Sequence, residues 1–361
     1  MEQQARLPAL IHGGDWAGYE MKYGARPLDF SSNVSPLGLP EGVRAAAARA
    51  LEDASRYPDP LCRALRRAIG EAEGVDPSWC LCGGGCADLI YRAVLARRPR
   101  RALVTAPAFA EYEAALTLAS CRVERYTLRE EDGFLVQLDI LEAITPDTDM
   151  VFLGEPNNPT GRTTPRPLLL QILERCREVG ALLAVDECFG SFLDDPAAHT
   201  LGGALGSHKN LLLFRAFTKL YAMAGLRLGY CLCGDRALLE AMSRAGQPWG
   251  VSGPAQAAGL AALGEKAYVQ AVGALIREER PRLREGLEAL GFPAVPGEAN
   301  YLLFHSPIPL PEPLGRRGIL IRDCGNYHGL GKGWYRAAVR TREENRRLLE
   351  ALGEIRREKR K

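Results

Sequence analysis

Lys219 lies in the run Phe214-Arg215-Ala216-Phe217-Thr218-Lys219-Leu220-Tyr221, which is mostly apolar. An amine among apolar neighbours holds its proton weakly, and once neutral it attacks an aldehyde to form a Schiff base. A second chemical group is Asp186, which closes the apolar run Leu182-Leu183-Ala184-Val185. It is expected at the C-terminal edge of a strand, where open parallel sheets bind ligands. An aspartate there can cap the following helix. Paired with a lysine at the end of another strand, it can instead hold a protonated pyridine nitrogen, the condition under which pyridoxal phosphate acts as an electron sink.

Gly83-Gly84-Gly85-Cys86-Ala87-Asp88 follows the strand-like Cys80-Leu81-Cys82 and leads into a helical pattern. Glycine allows close backbone approach, and the free N–H groups of a helix start attract phosphate. A plain tight turn explains the glycines equally well. No G-x-G-x-x-G with a suitably spaced acid follows, so a single phosphate at the backbone of Cys86 and Ala87 is favoured over a dinucleotide. Thr218 directly precedes the lysine and Arg227 follows it by eight residues, so both can reach that phosphate. Phe109, after another strand, can stack on a planar ring or serve the core. Asn158, within Glu155-Pro156-Asn157-Asn158-Pro159-Thr160-Gly161, can donate to a ring hydroxyl or belong to a structural turn.

The elements that must position these residues follow from periodicity. Helices are expected at Gly42 to Asp53, Pro60 to Glu73, Asp88 to Ala96, Arg166 to Val179, Ala237 to Ala245 and Ala255 to Leu290. Between them lie the apolar runs Ala102 to Thr105, Met150 to Leu153, Leu182 to Val185, Leu211 to Phe214 and Leu228 to Leu232. Alternation of this kind predicts an α/β fold, a mostly parallel sheet covered on both faces. Three later runs, Ala299 to Phe304, Gly318 to Arg322 and Trp334 to Arg340, with a final helix from Arg342, predict a small α+β domain. The expected division is an N-terminal arm over 1–41 that joins the small domain, a large domain over 42–247 and the small domain over 248–361.

Composition narrows the function classes. The 361 residues carry 46 Lys and Arg against 44 Asp and Glu, so no global field points to nucleic acid or a membrane surface. The start of the chain has no basic segment leading into an apolar one, and no later apolar run is long enough to span a bilayer, so a cytoplasmic protein is expected. Ten cysteines at irregular spacing suit reduced thiols packed as small apolar groups, and C-x-C pairs without a nearby histidine do not suit a metal site.

Taken in order, Gly85-Cys86-Ala87, Phe109, Asn157-Asn158-Pro159-Thr160-Gly161, Asp186, Thr218-Lys219 and Arg227 resemble the fold-type I pyridoxal phosphate enzymes of the class I/II aminotransferase superfamily. The resemblance implies a large domain with a seven-stranded sheet, a small α+β domain, and pyridoxal 5'-phosphate as cofactor. It implies that Lys219 carries the cofactor, Asp186 pairs the pyridine nitrogen, Asn158 contacts the phenolic oxygen, Phe109 stacks, and Gly85, Cys86, Ala87, Thr218 and Arg227 hold the phosphate. Tyr57, in Arg56-Tyr57-Pro58-Asp59-Pro60, resembles the tyrosine that reaches a neighbouring subunit's cofactor phosphate, which implies a homodimer.

Within the superfamily the chain is most similar to the L-threonine-O-3-phosphate decarboxylases of cobalamin biosynthesis, with histidinol-phosphate aminotransferases as close relatives. The resemblance rests on His12-Gly13-Gly14, Leu28 to Gly38 with Asn33, Arg322-Asp323-Cys324-Gly325-Asn326-Tyr327 and Trp334 to Thr341, and on Phe189 where the aminotransferases usually have tyrosine. A phosphorylated amino acid is the expected substrate. Arg336 is expected to fork onto its carboxylate, with Arg322, His12 and Arg340 supplying charge for a distal phosphate, and Gly13, Asn33 and Asn158 completing the substrate set. Decarboxylation to (R)-1-amino-2-propanol O-2-phosphate, transamination, and cofactor binding without turnover share the same cofactor residues. Asp15, Ser35 and Ala216 depart from the decarboxylase pattern, and a carboxylate at Asp15 would repel a substrate phosphate if it pointed inward.

Overall fold

The computed structural model describes residues 12–359. The first eleven residues of the expected arm and the last two of the basic tail lie outside them. In chain order the strands are β1 (Leu28–Asp29), β2 (Cys80–Gly83), β3 (Arg101–Ala106), β4 (Arg122–Thr127), β5 (Met150–Gly154), β6 (Leu182–Asp186), β7 (Leu211–Ala216), β8 (Gly229–Leu232), β9 (Tyr301–His305), β10 (Ile319–Leu320), β11 (Arg322–Asp323) and β12 (Trp334–Ala338). Seven form one sheet in the order β2-β8-β7-β6-β5-β3-β4. Only β8 runs against the rest. The sheet is therefore mostly parallel, and helices connect its strands.

Burial on both faces is visible in single strands. Along β5, Met150 and Phe152 join one apolar cluster and Val151 and Leu153 the other, all essentially inaccessible to water. Side chains of a strand alternate between faces, so a continuous apolar run is required where both are covered. The edge strand β4 reads Arg-Val-Glu-Arg-Tyr-Thr and is partly exposed along its length. Its charges protect an open edge and hide it from a search for apolar runs.

The structure refines several expected boundaries. The helix expected from Pro60 begins at Arg63, because Cys62 adopts a left-handed conformation at φ 48° and Asp59 accepts from the Leu61 and Arg63 amides. The stretch from Ala255 to Leu290 is two helices, Gly253–Ala262 and Lys266–Ala289, interrupted around Gly264. The run from Gly318 to Arg322 is shared between two sheets. Ile319 and Leu320 pair in parallel with Leu28 and Asp29, while Arg322 and Asp323 pair antiparallel with Arg336 and Tyr335. The second sheet has the order β11-β12-β9.

Two side-by-side consequences of this topology reach the site. The Phe30 carbonyl accepts from the Ala338 amide at 2.9 Å, and Asn300 Nδ2 donates to the Asn33 carbonyl at 3.1 Å. The segment from Phe30 to Asn33 is thus fastened to the three-stranded sheet that carries Arg322 and Arg336. Among the described residues, no helix is long and apolar enough to cross a membrane, and no group of three or more metal-ligating side chains occurs.

Candidate active site

The C-terminal ends of five strands converge on one mouth. Gly85 and Cys86 follow β2, Phe109 follows β3, Asn158 follows β5, Asp186 ends β6, and Lys219 follows β7. A cavity of about 500 Å³ opens there, lined by Gly85, Cys86, Ala87, Phe109, Asn158, Asp186, Thr218, Lys219 and Arg227. His12, Gly13, Asn33, Arg322 and Arg336 line it from the other side. Residues spread over more than 300 positions meet because parallel strands place all their C-termini at one edge.

Lys219 sits in a one-turn helix, Phe217–Leu220, whose Phe217, Thr218 and Leu220 are buried. The Lys219 carbonyl accepts from the Ser35 amide at 2.9 Å, and Ser35 Oγ accepts from Tyr268 at 2.8 Å. Ser35 therefore holds the lysine's backbone. Burial, reinforced by the nearby Arg336 and Arg227 guanidinium groups, lowers the Lys219 pKa from the ordinary lysine value. A lowered pKa supplies the neutral amine that Schiff-base chemistry needs.

Asp186 accepts from the Tyr112 hydroxyl at 2.8 Å through Oδ2 and from the Cys188 amide at 3.0 Å through Oδ1. Burial and the Asp186 charge hold the Tyr112 phenol well above its usual range, so it remains a donor. A carboxylate fixed from both oxygens still has lone pairs for one further N–H.

The helix Cys86–Arg97 begins at Gly85, whose φ of 97° and ψ of 165° belong to glycine. A Cβ at Gly85 would sit 2.8 Å from Arg227 Nη2. The guanidinium thus packs directly over the backbone turn, beside the unsatisfied amides of the helix start. Positive charge and free N–H groups meeting at one helix N-terminus fit a single phosphate. Asn33 Oδ1 and Arg336 Nε are buried polar atoms without a protein partner, and both residues line the same cavity.

Arg322 and Arg336 are directly opposite in the β11–β12 register, so their side chains leave one face of the sheet. They are only 7% and 6% exposed. Arg336 donates to Asn158 Oδ1 through Nη1 and to the Ser31 carbonyl at 2.8 Å through Nη2. Arg322 donates to Asn326 Oδ1 at 2.8 Å and lies 5.2 Å from the Tyr327 ring centre.

The chain matches the model of "Aminotransferase class I and II" over residues 25–352. It belongs to that family. Its cofactor is pyridoxal 5'-phosphate, and its fold is that of the fold-type I enzymes. It is 40% identical to the threonine-phosphate decarboxylase of Salmonella typhimurium, over 95% of this chain and 96% of that protein. It is 34% identical to the histidinol-phosphate aminotransferase of Symbiobacterium thermophilum, over 96% of both chains. The crystal structure of the histidinol-phosphate aminotransferase from Clostridium acetobutylicum superposes with a TM-score of 0.86 at 26% identity, covering 92% of this chain and 99% of that one.

One expected site residue lies elsewhere. Arg340 does not line the cavity. It donates to the Asp29 carbonyl at 3.1 Å and to Glu344 at 2.8 Å, because the chain leaves β12 at that point and caps the helix Arg342–Glu358. The charge expected from it for a distal phosphate is spent on fastening the arm. Tyr57, expected to serve a neighbouring subunit rather than this chain's cavity, is 79% exposed and stacks on Trp249 at 4.4 Å. Asp15 also turns away, accepting from the Gly18 amide as the cap of the helix Trp16–Tyr23, so it adds no repulsion. The cavity residues that sequence reasoning left without a role are Glu111, Ser31, Ser32, Cys188 and Tyr327. Glu111 and Tyr112 open a helix just after Phe109, where an acid normally serves the helix dipole and hides any other use.

Proposed function

We propose that this enzyme decarboxylates L-threonine O-3-phosphate to (R)-1-amino-2-propanol O-2-phosphate, with pyridoxal phosphate held by Lys219. The observation that carries the reading is the facing pair Arg322 and Arg336, two buried cations on one sheet face within the lysine's cavity. Two fixed guanidinium groups suit a substrate with two anionic ends, and each matches a carboxylate or phosphate bidentately. The 40% identity to a threonine-phosphate decarboxylase over nearly the whole chain supports the same reaction.

In this reading Gly85, the Cys86 and Ala87 amides, Thr218 and Arg227 would hold the cofactor phosphate, and Asp186, Asn158 and Phe109 would hold its pyridine nitrogen, phenolic oxygen and ring. Bound there, pyridoxal phosphate would supply an electron sink for chemistry at the substrate's Cα. Arg336 orients the carboxylate, with Asn158 steadying its guanidinium. Arg322, His12, Gly13 and Asn33 surround the distal phosphate. Lys219 Nζ is the amine placed to return a proton at Cα. The chain divides into an arm over 1–41, a large domain over 42–247 and a small domain over 248–361, and acts in the cytoplasm on the cobalamin route. Exposed Tyr57, braced by Trp249, reaches the neighbouring subunit's cofactor phosphate in a homodimer.

The test is carbon dioxide release from threonine phosphate without an oxo-acid acceptor, abolished in Lys219→Ala. Turnover that required 2-oxoglutarate and yielded glutamate would assign the enzyme to transamination instead. Sedimentation of the holoenzyme at twice 39.4 kDa checks the dimer.

A further inference from the structure

Glu111 places a carboxylate in a cavity that also contains Lys219, Arg227, Arg322 and Arg336. For a site expected to receive a phosphate, this is the wrong charge. The structure shows how it is used. Glu111 Oε1 lies 2.5 Å from His12 Nε2, and Glu111 Oε2 accepts from the Tyr91 hydroxyl at 2.9 Å. The His12 ring packs 5.6 Å from the Phe109 ring, tilted at 44° to it, so the imidazole is held by the carboxylate at Nε2 and by an aromatic neighbour beside it. Gly13 next to it presses on the arm, since a Cβ there would stand 2.4 Å from the Ser31 carbonyl oxygen. The Gly14 amide donates to Ser31 Oγ at 2.8 Å.

We infer that Glu111 is a specificity-determining positioning residue: its carboxylate accepts from His12 Nε2 and so fixes the ring with Nδ1, in the doubly protonated imidazolium, as the donor to the substrate's distal phosphate, and His12 in turn shields that phosphate from the Glu111 charge. The inference rests on the proposed phosphorylated substrate. Tyr91 secures the second carboxylate oxygen, so Glu111 cannot swing toward solvent without leaving a hydroxyl unpaired. Two opposite effects are combined in one carboxylate. With His12 present Glu111 aids phosphate binding, and without His12 it opposes it, because removing one partner of a charged pair leaves the other uncompensated.

The sign reversal is the test. Dissociation constants for O-phospho-L-threonine are measured by calorimetry in a Lys219→Ala background loaded with pyridoxal phosphate, which does not turn over and is the wild type for positions 12 and 111, with retained cofactor absorbance as the check of folding. Glu111→Ala is expected to weaken binding about tenfold. Glu111→Gln, whose amide oxygen still accepts from an imidazole N–H, stays within about threefold of wild type. His12→Ala is the weakest single variant, and adding Glu111→Ala to it recovers affinity. Unchanged binding in Glu111→Ala, a Glu111→Gln as weak as Glu111→Ala, or a double variant no tighter than His12→Ala would overturn the inference. Binding is read without turnover, so an enzyme that binds phosphothreonine but releases no carbon dioxide refutes the proposed reaction and leaves this test intact. Absence of phosphothreonine binding by the wild type refutes both.

Discussion

Replacing Arg336 by lysine keeps the charge and removes the fork. In the structure Nη1 serves Asn158, Nη2 serves Ser31, and Nε is buried without a protein partner. A lysine has one nitrogen for the same three directions, in a compact ammonium that is more strongly hydrated and not planar. At 6% exposure water cannot restore what is lost. A hydrogen bond to a charged group contributes about 1.5–3 kcal/mol, so losing one arm of the fork onto a substrate carboxylate weakens binding by roughly ten- to a hundredfold. The expected result is a KM for threonine phosphate raised by about that factor, with kcat also reduced, because Asn158 loses the partner that steadies it beside the ring. The assay is carbon dioxide release across a substrate series with saturating cofactor. A KM within twofold of wild type would refute the assignment of Arg336 to the carboxylate and would leave Arg322 as the main anion ligand.

Other outcomes follow from the same geometry. Gly85→Ala forces a side chain into a backbone region that costs about 1–3 kcal/mol and pushes on Arg227; we expect a lower Tm and a cofactor dissociation constant raised about tenfold or more, read from visible absorbance on dilution. Arg340→Ala removes bonds to Asp29 and Glu344 outside the cavity and should lower Tm while KM for threonine phosphate stays within twofold. In cofactor-free protein, burial depresses the Lys219 pKa, so the unfolded chain binds that proton more strongly and wild-type stability rises with pH up to the ordinary value of 10.5. Lys219→Met should therefore melt above wild type at neutral pH, with the gap narrowing as pH climbs toward 10.5; a gap that widened would contradict the buried-amine argument.

Much of the cofactor side is legible in the sequence because each of its residues is tied to a local signal. Asp186 ends an apolar run, Lys219 follows another, and Gly85 stands between a strand and a helix. In a mostly parallel sheet, those local positions all map to one edge, so reading the strands amounts to locating the site. β4 escaped the same reading because an edge strand rich in arginine and glutamate carries no apolar run. The division of Gly318 to Arg322 between two sheets also has no local mark, since the turn of allegiance at Ile321 depends on where β1 and β12 lie.

Local sequence settled the kind of chemistry: a lysine among apolar neighbours, a carboxylate at the end of another strand, and a phosphate-ready helix start. Tertiary structure decided which charges face the substrate. Arg340 and Asp15 look available in the sequence and are used as fasteners and caps, whereas Glu111, with no mark beyond a helix's first turn, meets His12 across 99 residues. The physical reason is range. Strand ends and helix starts follow from a few neighbouring residues, but a side chain's partner follows from how distant elements pack, and the balance of charge in a cavity is fixed only when they do.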